Sequence, residues 1–333
     1  MEQITIKKVA ELANVSKTTV SKYLNGGNVK NEYREKVENA LKVLNYRPNY
    51  IARALKTNRT YTIGVLIPFI NDRYSTLIVA EMESLLQDNG YGMLICGYEG
   101  NSKRFRAKMN FLLSKMIDAV VVFPSGLCKD DFDEIKNAKI PVCIIDREIE
   151  GVEADVVMTD NEYAGYFGAK YIMDLGHARM AFITGYNSSY TSSRRNAGIL
   201  KALNERGVSE ESYIFEYCYN SDDIFEQVKA VIESPKKPTV LFSTNFYLTN
   251  KTINALNRLN IRVPEDISLL AFDNVDTYSV YATSLTIVSQ LAKDISREAV
   301  NIILGRIADP ECDKRIVKMG IELIEGESIK SFV

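Results

Sequence analysis

Lys17, Thr18, Ser21 and Lys22 fall on one side of a short helical pattern whose other side carries Val20, Tyr23 and Leu24. Ammonium groups and hydroxyls at that spacing can contact phosphate oxygens and base edges in a DNA major groove. The elements that must hold them are readable upstream. Ile6, Val9, Ala10 and Ala13 recur at helical spacing and predict a first amphipathic helix, with Thr5 as its N-cap. Asn14 suits a left-handed turn, and Ser16 is a second N-cap. Two short helices around a tight turn predict a helix-turn-helix with the second helix offered to DNA. An ordinary helical pair with a solvated basic face fits the same pattern, so charge must discriminate.

Residues 1–60 hold 12 Lys and Arg against 5 Asp and Glu, whereas the remainder holds 29 against 38. A net charge of −2 therefore conceals a basic head on an acidic body. Such a head attracts polyanions, with an affinity that falls steeply with salt.

Composition excludes other classes. The 333 residues, 46% of them hydrophobic, suffice for a small head and a large body. No apolar run approaches the ~18 residues of a membrane span. The first residues lack a charged segment followed by an apolar core and cleavage site, so a cytoplasmic location is expected. Five scattered cysteines (Cys96, Cys128, Cys143, Cys218, Cys312) show no metal-ligand spacing, and buried reduced thiols are expected. No metal or cofactor is expected.

After the head, residues 31–44 carry Val37, Leu41 and Leu44 as the stripe of a third helix. Residues 46–56 form a possible short helix with Pro48 near its start, too short to be stable alone in water. Residues 57–60 are a linker. From Tyr61 the period changes. Strand-like runs at 62–67, 92–97, 119–123, 142–146, 180–184, 240–243, 269–272 and 285–288 alternate with helical stretches that include 75–89, 105–116, 162–175, 196–206 and 249–259. Alternation of this kind predicts parallel sheets covered on both faces, with ligands beyond the carboxyl ends of the strands.

Two other features carry no chemistry. His177 is the only histidine, and a serine or cysteine hydrolase would need an acid and a nucleophile converging on it, which nothing in the sequence suggests. Gly90-Tyr91-Gly92 leads out of a helix into a strand, the reverse of a dinucleotide fingerprint. An enzyme is therefore not expected.

Taken in order, the motifs resemble the lactose-repressor (LacI/GalR) family of bacterial transcription regulators over nearly the whole chain. The resemblance rests on residues 6–25, on Asn45-Tyr46-Arg47-Pro48-Asn49 through Ala52 to Leu55, on Asp160-Asn161 with Gly165, and on Leu175-Gly176-His177. Val263-Pro264-Glu265-Asp266-Ile267-Ser268 and Phe272-Asp273-Asn274 extend it. It implies an all-α helix-turn-helix headpiece (1–46), a hinge helix and linker (47–60), and an α/β body (61–333) like periplasmic binding proteins. The body would hold two doubly wound subdomains, one of about 61–161 and 291–325, the other of about 162–290.

The resemblance also implies roles. Lys17, Thr18 and Lys22 match base-reading positions; Thr19, Ser21 and Asn25 match phosphate contacts. Ala52 lies in the hinge, and Leu55 matches a minor-groove wedge. Lys22 replaces the family's usual arginine, turning a bidentate contact into a point charge, and Lys30 replaces a capping serine. In the body, Arg195 and Asp273 match a ligand clamp, Tyr219 a stacking ring and Asn245 a frequent aspartate; Tyr74, Asp146 and Gln290 complete the set. The expected effector is a sugar or sugar derivative, with purines and nucleosides as the family's exceptions. The expected partner is a near-palindromic operator, bound by a homodimer whose hinges fold on DNA. The last residues carry no heptad extension that would make a tetramer. A plain sugar receptor is the alternative, and the basic head argues against it.

Overall fold

The computed structural model describes residues 5–24, 27–46, 59–219, 223–273 and 284–333. Asn25, Ala52, Leu55 and most of the expected hinge lie outside them. The chain divides into two compact units, Met1–Thr60 and Tyr61–Val333.

The first unit holds helices α1 (Ile6–Leu12), α2 (Lys17–Leu24) and α3 (Asn31–Val43). Val9, Ala10, Ala13, Val20, Val37 and Ala40 meet in its centre, with Tyr23 and Leu41 packed around them. These are the positions that helical spacing points inward. Asn14 has φ 51°, the left-handed turn expected of it. The Thr19 amide donates to Ser16 Oγ at 3.1 Å, so Ser16 caps α2. Thr5 precedes α1 without a side-chain capping bond, and so does Lys30 before α3. The Tyr23 hydroxyl ties α2 to Glu38 of α3 at 2.8 Å.

The second unit is built on two six-stranded sheets. Its strands are β1 (Thr62–Ile67), β2 (Gly92–Gly97), β3 (Ala119–Val122), β4 (Val142–Ile145), β5 (Asp155–Thr159), β6 (Met180–Thr184), β7 (Tyr213–Tyr217), β8 (Val240–Ser243), β9 (Ser268–Phe272), β10 (Thr286–Gln290), β11 (Ile316–Met319) and β12 (Ile321–Ile324). The helices are α4 (Arg73–Asp88), α5 (Ser102–Ser114), α6 (Asp133–Ala138), α7 (Asn161–Asp174), α8 (Tyr190–Glu205), α9 (Phe225–Glu233), α10 (Phe246–Arg258) and α11 (Ala292–Ala308). One sheet has the order β11-β5-β4-β3-β1-β2 and is parallel throughout. The other has the order β12-β10-β9-β8-β6-β7, with β12 the one antiparallel member.

Both sheet faces are covered, as the continuous apolar runs require. Along β1, Ile63, Val65 and Ile67 pack with α4 and α11, while Leu66 faces the cluster formed with α5. In the second lobe, α9 and α10 cover one face and α7 and α8 the other.

The chain crosses between lobes three times, after β5, β10 and β11. The Thr159 hydroxyl donates to Gln290 Oε1 at 2.5 Å, and the Asp160 amide donates to Met319 O at 2.8 Å, so the three crossings lie side by side. One expectation is corrected here. Residues 321–325 do not belong to the first subdomain: after Gly320, Ile321–Ile324 pairs with β10 in the second sheet. Helix α8 also begins at Tyr190 rather than at residue 196, because its first turns bury polar side chains that an apolar periodicity cannot register.

All five cysteines are free. Cys143 and Cys218 are buried, but Cys128 and Cys312 are exposed, contrary to the burial expected, because both sit in polar loops between elements. No helix among the described residues is long and apolar enough to cross a membrane.

Candidate nucleic-acid interface and ligand cleft

In the first unit, Lys17, Thr18 and Lys22 are exposed on α2, where solvent-facing contacts must come from. Thr19 and Ser21 are half-buried. The Thr19 hydroxyl lies 2.8 Å from Ser16 Oγ, so it is shared with the helix cap. A groove of about 650 Å3 runs beside the start of α2, lined by Lys7, Ser16, Lys17, Thr19 and Tyr33 among others. Lys7 in that lining pairs with Glu11 at 3.8 Å, so the Lys17 ammonium, the amides at the helix start and three hydroxyls are what suits a phosphate chain.

In the second unit, the carboxyl ends of β4, β5, β8, β9 and β10 bring a polar cluster together. Arg195 anchors it from α8. Its position depends on two glycines: a Cβ on Gly165 would lie 2.0 Å from Arg195 O, and one on Gly198 would lie 1.9 Å from Glu162 O. Only glycine lets α7 and α8 approach this closely. The Arg195 guanidinium donates from Nε to Asn161 Oδ1 at 2.8 Å and from Nη1 to Thr244 O at 2.6 Å. It also lies 3.8 Å over the Phe272 ring. Burial lowers its pKa, and the Asp273 and Asp146 carboxylates oppose that shift.

Asp273 follows β9 with φ 69°. Gln290 donates to its Oδ1 at 2.5 Å, and the Phe246 amide reaches its Oδ2 at 3.3 Å. Burial raises its pKa, while Arg195 and Gln290 work in the opposite direction. Asp146, with φ 83° after β4, receives Arg147 Nε at 3.0 Å and Nη2 at 2.7 Å. Burial works against the Arg147 charge, but Asp146 outweighs it and the pKa ends above the usual value. The Tyr74 hydroxyl is buried and faces Thr159 without a well-formed hydrogen bond. Its pKa is raised well above 10.0 by burial first, then by Asp146 and Asp273.

Tyr74, Asp146, Arg195, Asp273 and Gln290 thus converge, whereas two candidates do something else. Tyr219 is 55% exposed and stacks on Tyr186, with centroids 4.2 Å apart. Asn245 caps α10, its Oδ1 accepting the Leu248 amide at 2.9 Å. Arg147, Thr159, Asn161 and Thr244 belong to the cluster and were not singled out from sequence. Asn161 sits inside the Asp160-Asn161 motif and Arg147 directly follows Asp146, so adjacency was the available signal.

His177 is a corner residue. Its Nδ1 lies 2.8 Å from Thr239 Oγ1 and its Nε2 lies 3.1 Å from Lys330 O, with Phe332 edge-on to the ring. Among the described residues, no three His, Cys, Asp or Glu side chains are grouped to hold a metal.

Comparison with known proteins places this architecture. Residues 5–49 match the family of bacterial regulatory proteins of the lacI type, and residues 169–329 match a periplasmic binding protein-like domain. The HTH-type transcriptional repressor PurR of Vibrio atlanticus (strain LGP32) is 32% identical over 330 residues, covering 98% of this chain and 99% of that protein. The PurR of Vibrio cholerae serotype O1 (strain M66-2) is 32% identical over 329 residues, covering 98% of each. Among solved structures, a lac repressor dimer bound to operator and the anti-inducer ONPF superposes with TM-score 0.82 at 22% identity, covering 99% of this chain and 100% of that one. The regulator CelR in complex with cellobiose gives 0.70 at 22% identity, covering 98% and 99%. The chain belongs to the LacI family of bacterial regulatory proteins. It is a DNA-binding transcriptional regulator with a ligand-binding body, not a plain receptor and not an enzyme.

Proposed function

We propose that the chain represses transcription as a homodimer on a near-palindromic operator, and that a neutral polyhydroxy effector, a sugar or sugar derivative, binds between its lobes. The reading assigns residues 1–46 to the headpiece, 47–60 to the hinge and the rest to effector binding and dimerisation. Lys17, Thr18 and Lys22 read base edges, Thr19, Ser21 and Asn25 hold phosphates, and Ala52 and Leu55 belong to the hinge that enters the minor groove.

The observation that carries the effector reading is the convergence of buried Arg195 and Asp273 with half-buried Asp146 and Tyr74. Two cations, Arg147 and Arg195, face two carboxylates, Asp146 and Asp273, so these four groups balance in charge and favour a neutral ligand among them. Alternating donors and acceptors match vicinal hydroxyls, each of which donates once and accepts twice. Effector contacts to both lobes would bias their closure and, through it, the spacing of the two hinge starts.

The test is a thermal-shift screen of the full chain against neutral sugars, sugar phosphates and nucleobases, repeated with Arg195→Ala. A neutral sugar should raise the melting temperature of the parent and not of the variant, with operator affinity of the variant nearly unchanged. Stabilisation by nucleobases or sugar phosphates without a response to neutral sugars, or an equal response of the variant, would overturn the assignment.

A further inference from the structure

At the opposite end of the first sheet from the effector cleft lies a second cavity, of about 480 Å3. It opens against the starts of β4 and β5, at Val142 and Asp155, between α6 and the loop that precedes β11. Its size falls within the ~300–1,000 Å3 of small-molecule sites.

The floor is apolar, formed by Phe132, Ile135, Ile140, Pro141 and Val152. Phe132 and Ile135 belong to the lobe's core, so this floor does not depend on loop ordering. The frame around it is braced. Asp131 accepts Arg106 Nε at 2.9 Å and the Cys128 amide at 3.0 Å. Gly151, with φ 76°, lets the Lys129 side chain lie across it, where a Cβ would meet that chain at 2.8 Å.

The rim is cationic: Lys129, Lys136, Lys139 and Lys314, with Arg306 beneath. The acidic groups in the lining are Asp133, Glu153 and Asp155. Two of these are already committed. Asp155 takes Arg306 through Nε at 3.0 Å and Nη2 at 2.7 Å, and Glu153 takes Lys314 Nζ at 2.5 Å. Lys314, and after it Lys136 and Lys129, hold the Glu153 carboxyl below its usual range. Lys129, Lys136 and Lys139 make no ion pair among the described residues, and the lining as a whole sets five cations against three carboxylates. This excess stands on a body that is net acidic, so the general surface charge does not account for it.

We propose that this cavity is a second ligand site, separate from the effector cleft, for a small organic anion: an acidic headgroup on the lysines and a hydrocarbon or ring body on the apolar floor. Apolar burial supplies the affinity and the ammonium groups fix which end is outward. A fully ionic ligand without an apolar part would leave the floor unfilled, and a neutral one would leave the rim unpaired.

Anilinonaphthalene sulfonate has the required chemistry and reports burial by its fluorescence. Titrated into the full-length protein, it should saturate a single site and be displaced by octanoate but not by octanol at the same concentration. Lys136→Glu with Lys139→Glu, both exposed positions, should weaken it at least about ten-fold, a change of about 1.4 kcal/mol, with unaltered circular dichroism and melting. Arg195→Ala should leave it unchanged. Equal affinity of the lysine variant, equal displacement by octanol, or loss of the probe in Arg195→Ala would each overturn the proposal. The last result would place the probe in the effector cleft, whereas the first two leave the effector reading untouched.

Discussion

A hydrogen bond between the two lobes can be removed with a single atom. The Tyr247 hydroxyl, in the first turn of α10, donates to Asp72 Oδ1 at 2.9 Å across the cleft. Asp72 is not free to follow an opening lobe, because its Oδ2 accepts the Ser75 amide at 2.9 Å as the N-cap of α4. Burial and the Asp72 charge both raise the Tyr247 pKa, so the phenol stays a donor throughout the physiological range. Tyr247→Phe deletes the hydroxyl and keeps the ring, which packs edge-on against Phe246. A hydrogen bond to a charged acceptor contributes about 1.5–3 kcal/mol. Tyr247 is 38% exposed, so water replaces part of that and about 1 kcal/mol remains. The ratio of open to closed lobes should then rise about five-fold. Double electron–electron resonance measures it, with spin labels at Lys136→Cys and Asn204→Cys and the exposed Cys128 and Cys312 replaced by serine. The variant should show a larger long-distance population. A distance distribution identical to the parent's would refute the reasoning, since the contact would then accompany closure without holding it.

Three further outcomes follow from the same structure. Gly165→Ala places a methyl 2.0 Å from Arg195 O and should destabilise the body by about 3 kcal/mol, read as a lower urea midpoint; an unchanged midpoint would mean α7 and α8 separate freely. Burial lowers the His177 pKa below 6.5, so the folded state disfavours its charge and stability is lost as pH falls through that range. The parent should lose more melting temperature between about pH 7 and pH 5 than His177→Gln, and parallel curves would contradict the sign. Ser16→Ala removes the cap of α2 and should cost the headpiece about 1 kcal/mol, seen as faster amide exchange at Thr19; protection equal to the parent's would show that the cap is dispensable.

The candidate site was legible in parts, for a definable reason. Asp273 and Asp146 end strands, and a carboxylate after an apolar run stands out in a sequence. Arg195, three residues before Gly198, was assigned through the family resemblance, and its placement rests on the helix approach that Gly165 and Gly198 permit. Thr244 contacts Arg195 from an element 49 residues away, and no local pattern marks such a partner. Tyr219 and Asn245 were assigned through the resemblance alone. Their positions matched, but ring stacking on Tyr186 and a helix cap already engage them.

What the sequence determined by itself was set by short-range physics. Helical spacing, Asn14 in its turn and Ser16 at its cap produce the headpiece, and continuous apolar runs produce sheets covered on both sides. Charge asymmetry pointed the head at DNA before any fold was known. The tertiary structure alone decided what depends on contacts between distant segments. It placed Ile321–Ile324 in the second sheet, aligned the three crossings through Thr159 and Gln290, and set Tyr247 against Asp72. Each of these is a hydrogen bond between groups whose separation along the chain exceeds any local period, and only the packed lobes bring them within reach.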